Sequence, residues 1–150
     1  MAATKQKKAL ALSELKQQEA LILFFDEKKK IVQKIKDKVL MDYIERGLED
    51  LEGKYLESSL IYTNSHPWTK RILLLGAGEK PNFSPHRIRV LGSTASLALR
   101  KYKIESKVSF LATKIGRLSS AEVAGHFEAG YEIGSYRFDY LRTEKGKKKA

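Results

Sequence analysis

The chain has 150 residues, a formal charge of +11 and no cysteine. That length suits one domain with a real core, and the missing thiols exclude a disulfide framework, a thiolate metal site and a cysteine nucleophile. The longest strongly apolar run, Ala20 to Phe25, is far short of the roughly 20 residues a membrane helix needs, so the sequence reads as a soluble, cytoplasmic protein with no membrane partner.

Taken in order, Lys8 to Leu15 alternates weakly and reads as a first strand, and Glu19 to Phe25, apolar on both faces, as a second strand inside the sheet. From Lys28 to about Leu51 the apolar positions Ile31, Val32, Ile35, Val39, Leu40, Tyr43, Ile44, Leu48 and Leu51 recur at helical spacing, which predicts one long amphipathic helix. Its carboxylates Asp37, Asp42, Glu45, Glu49 and Asp50 interleave with Lys and Arg at three- and four-residue offsets and read as solvated ion pairs rather than metal or acid/base groups. Gly53 ends that region. Tyr55 to Thr63 then reads as a strand, Asn64 to Pro67 as a turn, and Trp68 as a cap on the core edge.

The run Arg71 to Leu75, closed by Gly76-Ala77-Gly78, has the character of a central strand covered on both faces. Ser84 is a good N-cap and Pro85 suits the first helical position, so a helix is expected from Pro85 to about Tyr102, with Ile88, Leu91, Ala95, Ala98 or Leu99 and Tyr102 on its apolar face. Lys107 to Ala112 supplies another short strand. A last helix starts at Ser119, where Glu122 stands at capping-box spacing, carries Val123, Phe127 and Tyr131, and is expected to end near Gly134. Ser135 to Tyr140 then reads as extended, and Thr143 to Ala150 as a polar tail or linker. The fold class that follows is α/β, a mixed, mainly parallel sheet flanked by helices.

Three constellations could carry chemistry. The glycines of Gly76-Ala77-Gly78 would let backbone amides approach a phosphate, but Pro81 stands where a dinucleotide fingerprint wants its third glycine, and no Gly-Lys-Ser/Thr follows. His66, His86 and His126 are widely separated, and none has a partner at metal-ligand spacing. The lysines gather at Lys5, Lys7 and Lys8, at Lys28 to Lys30, at Lys34, Lys36 and Lys38, and in the tail from Lys145 to Lys149. These are tails and solvated faces, which suits non-specific contact with nucleic acid better than a reading site.

The stretch Arg71 to Glu79, the helix from Ser84 with its small residues Gly92, Ser93, Thr94 and Ala95, and the segment Glu128 to Tyr140 together resemble the N-terminal domain of the leucyl aminopeptidases, the cytosol aminopeptidase (M17) family. The resemblance spans roughly Ala9 to Thr143 and is clearest from Arg71 onward. It implies a macro-domain-like three-layer sandwich over residues 1–143, with 144–150 a basic tail or the start of a linker. It further implies a C-terminal catalytic domain in the full-length parent, holding two divalent metal ions (Zn or Mn) that serve removal of N-terminal residues from peptides, and a homohexameric assembly. The family's metal-ligand motifs do not occur in this sequence, so the resemblance gives no catalytic, cofactor-binding or metal residue at any position here. The alternative is a stand-alone macro-like module that binds a nucleotide such as ADP-ribose, or nucleic acid.

Overall fold

The computed structural model describes residues 18–64, 66–79, 83–104 and 107–149, with backbone alone for 135–149. The strand expected over Lys8 to Leu15 lies outside the described residues. In chain order the elements are β1 (Ala20–Asp26), α1 (Lys38–Glu49), β2 (Ser58–Tyr62), β3 (Arg71–Gly78), α2 (Pro85–Lys101), β4 (Val108–Phe110) and α3 (Ser120–Lys149). The strands form one sheet in the order β2-β3-β1-β4. β4, β1 and β3 run parallel, and β2 lies antiparallel at the edge.

Because side chains alternate across a strand, β1 feeds two cores at once. Leu21, Leu23 and Phe25 join Ile72 and Leu74 of β3 under Leu40, Ile44 and Leu48 of α1. Ala20, Ile22 and Phe24 join Leu73, Leu75 and Ala77 under Ile88, Leu91, Ala95 and Leu99 of α2 and Val123 and Phe127 of α3. The result is the three-layer α/β arrangement expected from the sequence. Trp68 is half-buried against the α1-side core, as a cap on the core edge should be. β2 is shorter than the expected Tyr55 to Thr63 strand because residues 55 and 56 form a turn with Leu56 at φ 66°.

α1 begins ten residues later than the apolar spacing predicts. Asp26 Oδ1 accepts from the amides of Lys28 (2.9 Å) and Lys30 (3.0 Å), fixing a turn in which Lys29 takes φ 62°. The chain then runs back along β1: the Asp26 amide donates to the Lys30 carbonyl, the Val32 amide donates to the Phe24 carbonyl, and the Phe24 amide donates to Gln33 Oε1 at 2.9 Å. β4 pairs with β1 only as far as Ile22, and residues 30–33 satisfy the backbone beyond it. Ile31 and Ile35 still pack against the α1-side core. The sheet edge therefore claims backbone groups that a helix would need.

α3 also departs from expectation. It does not end near Gly134, and residues 135–140 are helical rather than extended, with the helix continuing to Lys149. Its start is as predicted: the Ser119 amide donates to Glu122 Oε1 (3.1 Å) and the Glu122 amide to Ser119 Oγ (3.2 Å). The glycines that suggested a stop are contact residues instead. A Cβ on Gly130 would collide with the Arg89 carbonyl, and one on Gly134 would sit 2.8 Å from the Ser93 carbonyl oxygen. Ser93 Oγ donates to the Gly130 carbonyl at 3.0 Å. The two helices thus cross backbone to backbone. Of the residues expected on the apolar face of α2, Tyr102 is instead half-exposed, as the C-cap of the helix.

Candidate functional site

In a mainly parallel sheet, ligands sit beyond the carboxyl ends of the strands, which here means the end of β3 and the turn it carries. Gly76 and Gly78 are required there by protein rather than by phosphate. A Cβ on Gly76 would meet the Lys54 carbonyl, and Gly78 has φ +80° with Arg87 Nη1 against it. The Gly76 amide donates to the Glu57 carbonyl (2.7 Å), and the Gly76 carbonyl accepts from the Leu56 amide (2.8 Å). From the first turn of α2, Arg87 Nη1 donates to the Ala77 carbonyl at 3.2 Å, while its guanidinium lies 4.3 Å from the centre of the Tyr55 ring. The N-terminus of α2 is capped by Ser84, whose Oγ accepts from the Arg87 amide at 3.2 Å.

One anion-binding nest exists beside this turn, and it is filled from within. The Glu57 carboxylate accepts from the amides of Glu52 (2.9 Å), Gly53 (2.9 Å) and Lys54 (3.1 Å). Burial pushes that carboxyl up, but the three amide donors outweigh it and hold it below the ordinary carboxylate range. Partial burial raises the Tyr55 phenol, opposed by the charge on Arg87. The edge therefore offers a cation and an aromatic face, with the Gly76 amide already engaged.

The structure keeps the three histidines apart. His86 is exposed on α2. His126 Nδ1 lies 2.9 Å from Arg89 Nη1, and since arginine can only donate, His126 accepts there. His66 is buried and meets a partner the sequence reading overlooked: its Nε2 lies 3.4 Å from Asp37 Oδ1, and its Nδ1 accepts from the Trp68 amide at 3.1 Å. The Trp68 donor fixes the proton on Nε2, which points it at Asp37. With both ring nitrogens held inside the fold, His66 has none left to act on a substrate. No three of the described His, Asp and Glu side chains come together in a way that could hold a metal ion.

Asp42, Glu45, Glu49 and Asp50 are exposed, as expected of a solvated face. Asp37 is not part of that face. It is the N-cap of α1, with Oδ1 accepting from the Leu40 amide at 2.8 Å. That amide, ahead of His66, holds the Asp37 carboxyl below its ordinary range against the upward push of partial burial. A depressed carboxyl contributes stability that is complete above its unfolded pKa and lost as pH falls through its folded one. Asp37→Ala should therefore destabilise the domain by about 1 kcal/mol at neutral pH, and by less than that below about pH 4. Asp37→Asn, which still caps, should keep most of the stability. Urea denaturation of the three proteins at both pH values checks this.

Comparison with known proteins agrees with the architecture. Curated proteins give no match to the chain. A family model described as the cytosol aminopeptidase family, N-terminal domain, matches residues 22–145, from the third residue of β1 into the last turns of α3. The chain belongs to the cytosol aminopeptidase family and represents its N-terminal domain.

Proposed function

We propose that this domain is the non-catalytic N-terminal part of a metal-dependent leucyl aminopeptidase that removes N-terminal residues from peptides in the cytoplasm. Its work is assembly of the enzyme, as a homohexamer, and control of access to the active site of a C-terminal catalytic domain. The observation that carries this reading is the family match over 22–145. Two features of the fold support it: both ring nitrogens of the buried His66 are committed, and the glycine turn is filled by the Lys54 carbonyl at Gly76 and the Arg87 side chain at Gly78. The two divalent ions, Zn or Mn, belong to the catalytic domain in this reading. The described residues of this domain do not fit them, since no three carboxylate or imidazole groups converge.

A stand-alone nucleotide module gains no support from the turn, because the Gly76 amide that would face a phosphate already has its acceptor. The exposed lysines Lys28, Lys30, Lys34, Lys36 and Lys38 suit salt-sensitive, sequence-blind contact with nucleic acid. The test is an assay of the purified chain against leucine amide with Zn or Mn added. No metal-stimulated release of leucine is expected, and robust turnover abolished by a chelator would overturn the reading.

A further inference from the structure

α2 and α3 run in the same direction. β3 and β4 both lie parallel to β1, so the crossover through α2 returns antiparallel to the strands. The contacts between the helices advance together: Arg89 meets His126, and one turn on Ser93 donates to the Gly130 carbonyl. A further turn on each helix brings Leu97 level with Gly134. Gly134 has the backbone of Ser93 and the Cβ of Ser96 against it, and no side chain with which to cover Leu97. Leu97 is accordingly 46% exposed, and Ile133, two turns after His126 on the same shoulder of α3, is 51% exposed. Tyr102, the C-cap of α2, is 50% exposed at the same end. Of the other exposed large apolar side chains among the described residues, Tyr55 carries Arg87 over its ring and Tyr62 carries Arg71. Val39 stands alone on α1, as single apolar residues on a surface commonly do.

We propose that Leu97, Ile133 and Tyr102 form the docking surface for the catalytic domain of the same polypeptide, which covers this end of the α2–α3 pair. The direction of the chain argues for that occupant. Both helix contacts join positions 37 apart, so Lys101, the last residue of α2, is level with position 138 of α3. From there α3 carries the backbone on to Lys149, ~16 Å further. A domain that follows this helix is delivered to the end where Leu97, Ile133 and Tyr102 are bare. Tyr55 and Arg87 lie at the opposite end, beyond the carboxyl end of β3, and Val39 belongs to the helix on the opposite face of the sheet. The inference rests on the catalytic domain proposed above and names the surface that receives it.

The chain has no cysteine of its own, so a thiol placed in it reports on one position, read by peptide mass spectrometry after reaction with a maleimide. Leu97→Cys and Ile133→Cys are expected to react more slowly in the native polypeptide that carries the catalytic domain than in the 150-residue chain. The slowing should be roughly ten-fold, as a contact worth about 1.4 kcal/mol imposes. Val39→Cys, the control on the other face, should react equally in both. A cysteine-to-lysine cross-linker on Leu97→Cys, in enzyme assembled from heavy-isotope and ordinary polypeptides, is expected to capture catalytic-domain peptides of its own isotope. Capture of the other isotope alone would make the occupant a second copy and overturn the proposal, as would equal reactivity of Leu97→Cys and Ile133→Cys in the two lengths. A native polypeptide that hydrolyses leucine amide while both thiols stay reactive overturns this contact and leaves the role proposed above standing; one with no catalytic domain overturns both.

Discussion

Phe127→Ala is expected to destabilise the domain by about 3–5 kcal/mol. Phe127 is fully buried and, with Val123, brings α3 onto the sheet. Its ring stacks on Phe110 of β4 at 3.9 Å between centroids and 9° between planes, and it lies 5.8 Å from Phe24 of β1. Removing it takes away the buried ring and leaves a cavity between two layers that cannot close, because the α2–α3 crossing at Gly92, Gly130 and Gly134 already holds the helices at backbone contact. Urea denaturation should show a lower midpoint with an unchanged slope. A loss below about 1 kcal/mol, the centre of the range for ordinary substitutions, would mean that α3 does not pack on the sheet.

The second large effect is expected at Leu74, where alanine should cost about 2–5 kcal/mol. Leu74 is fully buried on β3, with β1 on one side and β2 on the other, and faces Leu40, Ile44 and Leu48 of α1. Its methyl is close enough to Gly47 that a Cβ there would sit 3.1 Å away. Leu97→Ala is the control. Leu97 is 46% exposed on α2, and its truncation should change stability by no more than about 0.5 kcal/mol. Equal effects at Leu74 and Leu97 would mean that the central strand is misplaced.

The elements that could be read from the sequence are those whose local signals agree with their tertiary use. β1 and β3 are continuous apolar runs because both faces are covered, and Ser84 with Pro85 and Ser119 with Glu122 are caps whose hydrogen bonds form as their spacing predicts. Where the reading failed, tertiary contacts had taken residues with a helical look. Ile31 and Ile35 sit at helix spacing, yet Asp26 turns the chain so that residues 30–33 pair with β1, and the helix waits for its cap at Asp37. A cap signal was present in Asp37 itself, and the surrounding lysines disguised it as one more surface carboxylate. Gly134 was legible as a helix stop only in isolation. With Gly130 four residues before it and Gly92 and Ser93 on α2, it marks a close helix crossing, a contact between residues some forty positions apart.

The site was legible in the same uneven way. The failure of the glycine turn to match a phosphate loop could be seen from Pro81, but its actual purpose, room for the backbone of residues 54–57 and for Arg87, depends on contacts made only in the fold. The pairing of His66 with Asp37 joins a turn to a helix start 29 residues earlier and left no periodic trace.

The central claim, that this domain serves a catalytic partner in the same polypeptide, is tested most directly by sequencing the reading frame past Ala150 and weighing the native product. The account predicts an open frame that continues into a second domain bearing lysine, aspartate and glutamate metal ligands, and a product far heavier than 17.1 kDa. A stop codon after Ala150, with a native product of the mass of this chain alone, would contradict it.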